Sequence, residues 1–253
     1  MTNNVLLDNI THKDLKVIRR NGAEYGDNLG VVLTFPTEFG DIQREYPILL
    51  RKNQENDDYQ FVALLGFQHD ENLFLDEDGW NASYIPAVQS RGPFLIGFQE
   101  QVVDGIAQRE QVVYVDMDNP RVSKTEGEDV FLKFGGNSPY LDHVTGVLKG
   151  IQEGMETSKI LIANLIEFDL IEPVNMQIKI NEDLVYNLNG FYTVNDQKLK
   201  NLDGESLFKL NSTGVLRGIF MVAASLSNLK KMIDMKNRQL IKQQMTESKK
   251  QVK

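Results

Sequence analysis

Histidine has the widest catalytic range of the residues in this chain, and one of its three histidines is followed at once by two acids, in His69-Asp70-Glu71. Together with the distant His143, His69 and Glu71 would supply the two imidazoles and one carboxylate of a facial triad, which leaves positions on Fe(II) open for oxygen and 2-oxoglutarate. The spacing arises often by chance, and His143 falls in a predicted helix, whereas jelly-roll triads take their second histidine from a strand. We therefore predict no metal and no cofactor, and we keep Fe(II) with 2-oxoglutarate at His69, Glu71 and His143 as the weaker alternative.

A second candidate site is the segment that contains the single tryptophan. It combines Trp80 with Tyr84, Arg91 and Phe94 within fifteen positions. Aromatic side chains could wall a pocket in which Arg91 binds a carboxylate or phosphate through two parallel hydrogen bonds. In the alternative, Trp80 and Phe94 belong to the core and Arg91 makes a structural contact. We predict ligand binding by Trp80, Tyr84, Arg91 and Phe94, with Trp80 and Arg91 bordering one concave site.

Several standard chemistries lack their sequence signatures. The chain has no cysteine, so disulfides, thiolate metal sites and cysteine nucleophiles are excluded. No phosphate-binding loop, dinucleotide fingerprint or nucleophile elbow is present, and no nucleophile signature accompanies the third histidine, His12. The run Asp76-Glu77-Asp78-Gly79 lacks the first and last ligands of a calcium loop and is predicted to be a tight turn.

Charge is distributed unevenly along the 253 residues. The chain carries 36 acidic and 27 basic residues, a formal charge of −9, which argues against nucleic-acid binding. From Lys230 to the end there are eight basic and two acidic residues, a charge of +6. The first 229 residues therefore carry a charge of −15. We therefore expect a protein partner, or a second copy, to bind through the basic C-terminal helix.

The sequence also bears on location. Residues 1–9 do not combine a basic segment with a following apolar one, and no apolar run reaches the ~18 residues that span a bilayer. These features predict no transmembrane segment and a cytoplasmic location, and they leave surface association open.

The order of the predicted elements indicates the fold class. Short β-rich segments fill the first part of the chain: 30–35, 46–51, 59–67, 93–98, 111–116 and 130–134. Ser138 and Pro139 begin a helix with apolar periodicity to about residue 165 and a suspected break at Gly154, and a second helical pattern runs over 206–245 with weak points at Gly214 and Gly218. Residues 174–194 between them predict a hairpin. We predict an α+β fold with a mainly antiparallel sheet, one domain over 1–229, and a basic helix and tail over 230–253 whose packing weakens after Met235.

Four stretches, in this order along the chain, resemble the SapC family. They are His12-Lys13-Asp14-Leu15-Lys16-Val17 with Glu38 and Arg44-Glu45-Tyr46-Pro47-Ile48; Ala63-Leu64-Leu65-Gly66 with Asn72-Leu73-Phe74, Gly79-Trp80, Tyr84-Ile85-Pro86, Arg91 and Pro93-Phe94; Gly190-Phe191-Tyr192-Thr193-Val194 with Lys198-Leu199 and Leu202; and Leu210, Gly214 and Leu216 with Ser225-Leu226-Ser227-Asn228-Leu229. The resemblance extends over about residues 12–229.

The resemblance implies a bacterial protein whose family is named for a surface layer and whose biochemical activity is unsettled. It also implies a functional link to TonB-dependent receptors and to flavin-dependent halogenase-like proteins. We expect a non-catalytic binding or assembly protein. The alternative is an iron and 2-oxoglutarate oxygenase, or an accessory to a halogenase-like flavoenzyme.

Overall fold

The computed structural model describes residues 3–103, 106–175, 177–180 and 184–251, and it confirms the predicted α+β class. The strands are β1 (Asn4–Leu6), β2 (Lys16–Val17), β3 (Val31–Leu33), β4 (Ile48–Lys52), β5 (Tyr59–Leu64), β6 (Leu75–Asp76), β7 (Gly79–Trp80), β8 (Phe94–Val103), β9 (Ile106–Asp116), β10 (Val122–Ser123), β11 (Glu128–Asp129), β12 (Ile171–Pro173), β13 (Gln177–Lys179), β14 (Val185–Asn187) and β15 (Phe191–Val194). The helices are α1 (Phe39–Ile42), α2 (Ala87–Ser90), α3 (Pro139–Glu167), α4 (Asp196–Lys200), α5 (Gly204–Ser212), α6 (Val215–Ser225) and α7 (Asn228–Gln251), with a short 3₁₀ turn at Ala23–Tyr25.

A five-stranded antiparallel sheet, in the order β12-β15-β4-β5-β3, lies at the centre of the larger core. Three consecutive residues of β4, Ile48–Leu50, are fully buried. Because successive side chains of a strand point to opposite faces, the sheet must be covered on both faces at β4. Helix α6 packs against β4 and β15, and α3 packs against β5.

A smaller core lies beside the three-stranded sheet β1-β9-β8. Leu15, Phe94 and Val115 are buried in it, together with side chains from the first half of α3. The second half of the same helix places Leu161 and Leu165 in the larger core. Helix α3 therefore belongs to both cores.

Helix α3 begins where the sequence predicts and continues through the suspected break. Ser138 is its N-cap and accepts a hydrogen bond from the Leu141 backbone N–H at 3.1 Å. A Cβ atom added at Gly154 would lie 2.4 Å from Cβ of Phe35 and 2.6 Å from Oγ1 of Thr37. Gly154 is therefore needed for the close approach of the helix to Phe35, and it does not interrupt the helix.

The late helical pattern is divided into α5, α6 and α7. Gly214 lies between α5 and α6 with a φ of 75°, a left-handed conformation that favours glycine, so this weak point is a real break. Gly218 continues the helix, and a Cβ there would come 3.2 Å from Leu161.

Two other predicted elements have different outcomes. Residues 130–134 were predicted as a strand, which is wrong: the segment makes a single bridge, between Phe131 and Asn137. The predicted hairpin over 174–194 is confirmed in the pairing of β13 with β14. Its predicted turn at 181–183 falls outside the described residues, and β15 leaves the hairpin to join the larger sheet.

Candidate functional site

A chain of hydrogen bonds joins Trp80 and Tyr84 to a buried acid. The indole Nε1 of Trp80 donates to the Tyr46 hydroxyl at 2.8 Å, and that hydroxyl donates to the backbone carbonyl of Tyr84 at 2.6 Å. The Tyr84 hydroxyl donates to Oε2 of Glu38 at 2.8 Å. Tyr46 is fully buried and Glu38 nearly so. This hydrogen-bonded chain of Glu38, Tyr84, Tyr46 and Trp80 is the most developed polar cluster around the predicted site, and we call it the Glu38 network.

The carboxylate of Glu38 has a donor for each oxygen. Oε1 accepts from the Thr34 hydroxyl at 2.8 Å, and Oε2 accepts from the Ala87 backbone N–H at 2.9 Å as well as from Tyr84. Burial raises the pKa of Glu38, and the hydrogen bonds of Ala87, Thr34 and Tyr84 offset only part of that effect. Burial also raises the pKa of Tyr46 and of Tyr84, so both hydroxyls stay protonated as donors. The oxygens of Glu38 fix the positions of Thr34, Tyr84 and the start of α2.

Arg91 and Phe94 have a different environment from Trp80 and Tyr84. Phe94 is fully buried in the smaller core, with its ring centroid 6.2 Å from that of Tyr140, whereas Trp80 and Tyr84 pack against the larger core. Arg91 donates from Nη1 to the Phe94 backbone carbonyl at 2.5 Å, and burial lowers its pKa. Trp80 and Tyr84 thus lie against one core and Phe94 in the other, with Arg91 bonded to the Phe94 carbonyl. Ligand binding by these four residues stays a prediction.

The residues of the alternative iron site have other partners. The imidazole of His69 is 91% exposed and lies 2.6 Å from the Asp70 carboxylate, and His143 is exposed on α3. Glu71 is buried, where it accepts from the Phe67 backbone N–H at 2.9 Å and from the Lys236 ammonium. Across the part of the chain that the structure describes, no group of three or more histidines and acids could hold a metal ion. Both oxygens of Glu71 therefore accept hydrogen bonds, and the one from Lys236 joins the segment around Glu71 to α7.

Helix α7 packs against the rest of the chain beyond Met235, where the sequence predicts that its packing weakens. Lys236 is 7% exposed, and Leu240 packs against the larger core, so the packing passes the predicted limit at Met235. Burial acts to lower the pKa of Lys236, but the hydrogen bond and charge of Glu71 outweigh it, and the pKa is raised. Residues 241–245 are then all exposed, including Ile241 and Met245, which are each at least half exposed.

A protein-family model described as SapC matches residues 7–232 of the 253. The chain belongs to the SapC family. The match includes the Glu38 network and both cores, and it ends just after the first turn of α7. Comparisons with curated proteins and with solved structures give no match. None of the helices in the described ranges is long and apolar enough to cross a membrane.

Sequence reasoning missed two members of the Glu38 network as site residues. Glu38 and Tyr46 were noted only within the stretches that resemble the SapC family. A buried acid and a buried tyrosine hydroxyl need partners, and apart from Thr34 those partners lie 34 to 49 residues away along the chain. The signal in the sequence was the order of the family-like stretches, since no local motif joins Glu38 to Ala87 or Tyr46 to Trp80.

Proposed function

We propose that this SapC family member is a non-catalytic binding and assembly protein, and that the exposed end of α7 docks it on the acidic body of a second copy. The observation that carries the proposal is the exposure of the helix after Leu240. Ile241 and Met245 are four residues apart and share one face of the helix. Arg238 and Lys242 lie close to them along the chain, and residues 1–229 carry −15. An apolar face with a basic surround matches an acidic surface of this body.

The use of the buried acids supports a binding role. Glu38 accepts from Thr34, Tyr84 and Ala87, and Glu71 accepts from Phe67 and Lys236. A general acid or base must reach a reacting group, whereas these carboxylates face groups of their own chain. Their bonds join segments of the body and stabilise its fold.

The alternative of an iron and 2-oxoglutarate oxygenase has less support, because both Glu71 oxygens already accept hydrogen bonds. An accessory role beside a halogenase-like flavoenzyme, or a link to TonB-dependent receptors, is itself a binding function and would use the same exposed helix.

The docking proposal is tested by removing residues 241–253 and measuring molar mass by light scattering at low and high salt. We expect the full chain to gain mass with concentration at low salt and to gain less at high salt, because the exposed ion pairs are screened while the apolar contact is not. The truncated chain should stay monomeric with an unchanged melting temperature, since residues 241–245 are exposed. An unchanged self-association, or a clear loss of stability, would contradict the proposal.

A matched variant separates the contribution of the apolar face from that of the charges. Ile241→Ser with Met245→Ser keeps every charge and removes the apolar face, so it should weaken association at both salt concentrations. Metal analysis of the purified chain tests the oxygenase alternative. About one iron per chain, lost in His69→Ala and Glu71→Ala, would favour the oxygenase.

A further inference from the structure

Asparagine is followed directly by glycine at two places in the chain, Asn21-Gly22 and Asn189-Gly190. The residues of such a pair can react with each other, because the backbone nitrogen of the glycine can attack the side-chain amide carbon of the asparagine. Glycine has no Cβ to hinder that approach, and asparagine is one of the thermolabile residues. Whether the reaction proceeds depends on what holds the two groups, and the structure holds the two pairs differently.

The Asn21-Gly22 pair is tied to a buried ion pair. The Gly22 backbone N–H donates to Oδ2 of Asp27 at 2.9 Å, and Asp27 is paired with Arg121 at 2.6 Å. Arg121 also donates from Nη2 to Oδ1 of Asn21 at 3.4 Å. The Gly22 nitrogen becomes a nucleophile only when it loses its proton, and the resulting negative charge would lie beside the Asp27 carboxylate. Both reacting groups of this pair are therefore restrained.

The Asn189-Gly190 pair has no such bonds. It forms the turn between β14 and β15, and both of its residues are exposed. Among the residues that the structure describes, neither the Asn189 side chain nor the Gly190 backbone N–H has a hydrogen-bond partner. A Cβ placed on Gly190 would meet no heavy atom within 4 Å, so the space beside this glycine is open.

The fold itself places this pair at the surface. Gly190 has a φ of 80°, a left-handed conformation that favours glycine in the turn. On either side of the pair, Leu188 is buried and Phe191 is paired with Arg51 of β4. These fixed flanks keep Asn189 and Gly190 together and in contact with water.

We propose that Asn189 is a site of spontaneous deamidation in the folded protein and that Asn21 is protected from the same reaction. Hydroxide from the solvent removes the proton of the Gly190 nitrogen, and this nitrogen forms a bond to Cγ of Asn189. The bond from Cγ to Nδ2 breaks, and Nδ2 takes a proton from water and leaves as ammonia. The product is a succinimide ring, and its formation needs no oxidant or reductant.

Water then opens the ring at one of its two carbonyl carbons. Opening at Cγ gives aspartate in the normal main chain. Opening at the backbone carbonyl carbon gives isoaspartate, in which the main chain runs through Cβ and Cγ and is longer by one atom. Either product adds a negative charge beside β15, on a body that already carries −15. The inference does not depend on the proposed docking by α7.

The test follows the full chain over time in warm buffer at mildly acidic and mildly alkaline pH, in water enriched in heavy oxygen. Each event places heavy oxygen in the new carboxylate, so peptide mass spectrometry distinguishes it from deamidation before the incubation. An isoaspartate-specific methyltransferase detects the second product. The control variant is Asn189→Ser, which keeps a polar side chain but cannot form the ring. A second sample is unfolded in guanidinium chloride, where the fold protects neither pair.

In the folded chain we expect Asn189 to convert to both products, and faster at the alkaline pH. Asn21 should convert at least about 10-fold more slowly than Asn189, because the bond from the Gly22 N–H to a charged group must break first. In the unfolded chain the two rates should become similar, and the folded Asn189→Ser variant should form no acidic species that is labelled at this turn.

Three results would overturn the inference. The first is an Asn189 that stays intact in the folded chain while it converts in the unfolded one. The second is an equal rate at Asn21 and Asn189 in the folded chain. The third is an Asn21 that stays just as slow after unfolding, which would mean that its bonds in the fold do not protect it.

Discussion

Replacing Tyr46 with phenylalanine tests the Glu38 network at its central hydroxyl. This hydroxyl accepts from Nε1 of Trp80 and donates to the carbonyl of Tyr84. The ring is fully buried, with its centroid 4.5 Å from that of Phe74, and Tyr46→Phe keeps this packing while it removes one oxygen atom. The variant therefore isolates the two hydrogen bonds.

The size of the effect follows from those two bonds. Each ordinary hydrogen bond contributes about 0.5–1.5 kcal/mol, and a buried group left without a partner costs about 1–3 kcal/mol. Trp80 and Tyr84 are only half-buried, so their freed groups regain some hydration. We expect a loss of about 2 kcal/mol in the free energy of unfolding, which for a chain of this size lowers the melting temperature by roughly 4–8 °C.

Urea unfolding gives the free energy of unfolding of each variant, and the fluorescence of the single tryptophan follows the transition at the network itself. Trp80 is the only tryptophan and lies in the network, so its fluorescence reports the same bonds that are being removed. A double-mutant cycle with Trp80→Phe, followed by circular dichroism, isolates the bond between the two side chains. We expect a coupling free energy of about 1 kcal/mol.

The control is Tyr192→Phe. Tyr192 is half-buried, its ring packs edge-on to that of Tyr59, and within the described residues its hydroxyl has no hydrogen-bond partner. Its loss should stay below about 0.5 kcal/mol. If Tyr46→Phe costs no more than the control, or if the coupling to Trp80 is zero, then the network does not stabilise the fold and the reasoning is refuted.

Three further predictions concern other buried polar groups. Burial raises the pKa of Glu38 above its usual 4.5, so just above that pH the folded chain keeps a proton that the unfolded chain has lost, and stability falls as pH rises. Glu38→Gln cannot titrate, so its free energy of unfolding in urea should gain on that of the wild type as the pH rises above about 4.5. Lys236→Ala leaves the buried carboxylate of Glu71 without its ion-pair partner and should lower the free energy of unfolding by about 3 kcal/mol. Lys231→Ala breaks the more exposed pair with Glu45 and should lower it by less than ~1 kcal/mol. Ser225→Ala removes the acceptor of the buried Ile48 N–H and should lower the free energy of unfolding by about 1–3 kcal/mol.

Each of these has a result that would count against it. A constant difference between Glu38→Gln and the wild type across the pH range would show that Glu38 has an ordinary pKa. Equal losses in the two lysine variants would mean that burial does not distinguish their ion pairs. A neutral Ser225→Ala would mean that the Ile48 N–H finds another acceptor.

Local chemistry was sufficient to predict one helix start. Ser138 followed by Pro139 predicts the beginning of α3, and the Ser138 side chain does accept from Leu141. Residues 130–134 show the opposite case. Their composition is typical of a strand, but a strand also needs a neighbour, and the segment instead forms the loop that exposes Phe134. Strand pairing depends on distant residues, which composition does not report.

The same limit applies to the candidate site. Trp80 was predicted from its neighbours along the chain, but the group that holds its indole is Tyr46, which is 34 residues earlier. Arg91 was predicted to border the same site, yet its hydrogen bond goes to the carbonyl of Phe94 in the smaller core. Proximity in sequence grouped Trp80 and Tyr84, which lie against the larger core, with Phe94, which lies in the smaller one.

The shared helix α3 also fixes an order for synthesis on the ribosome. The smaller core draws its buried side chains from Leu15 to Leu148, so all of them have been translated once the first half of α3 is made. The larger core needs Ile219, Val222 and Met232, which emerge some seventy to eighty residues later. Chains are made at about 5–20 residues per second, so for several seconds β4 lacks α6, the late helix that packs against it. During that interval the nascent chain exposes its most apolar strands, and the smaller core is the part that can already be folded.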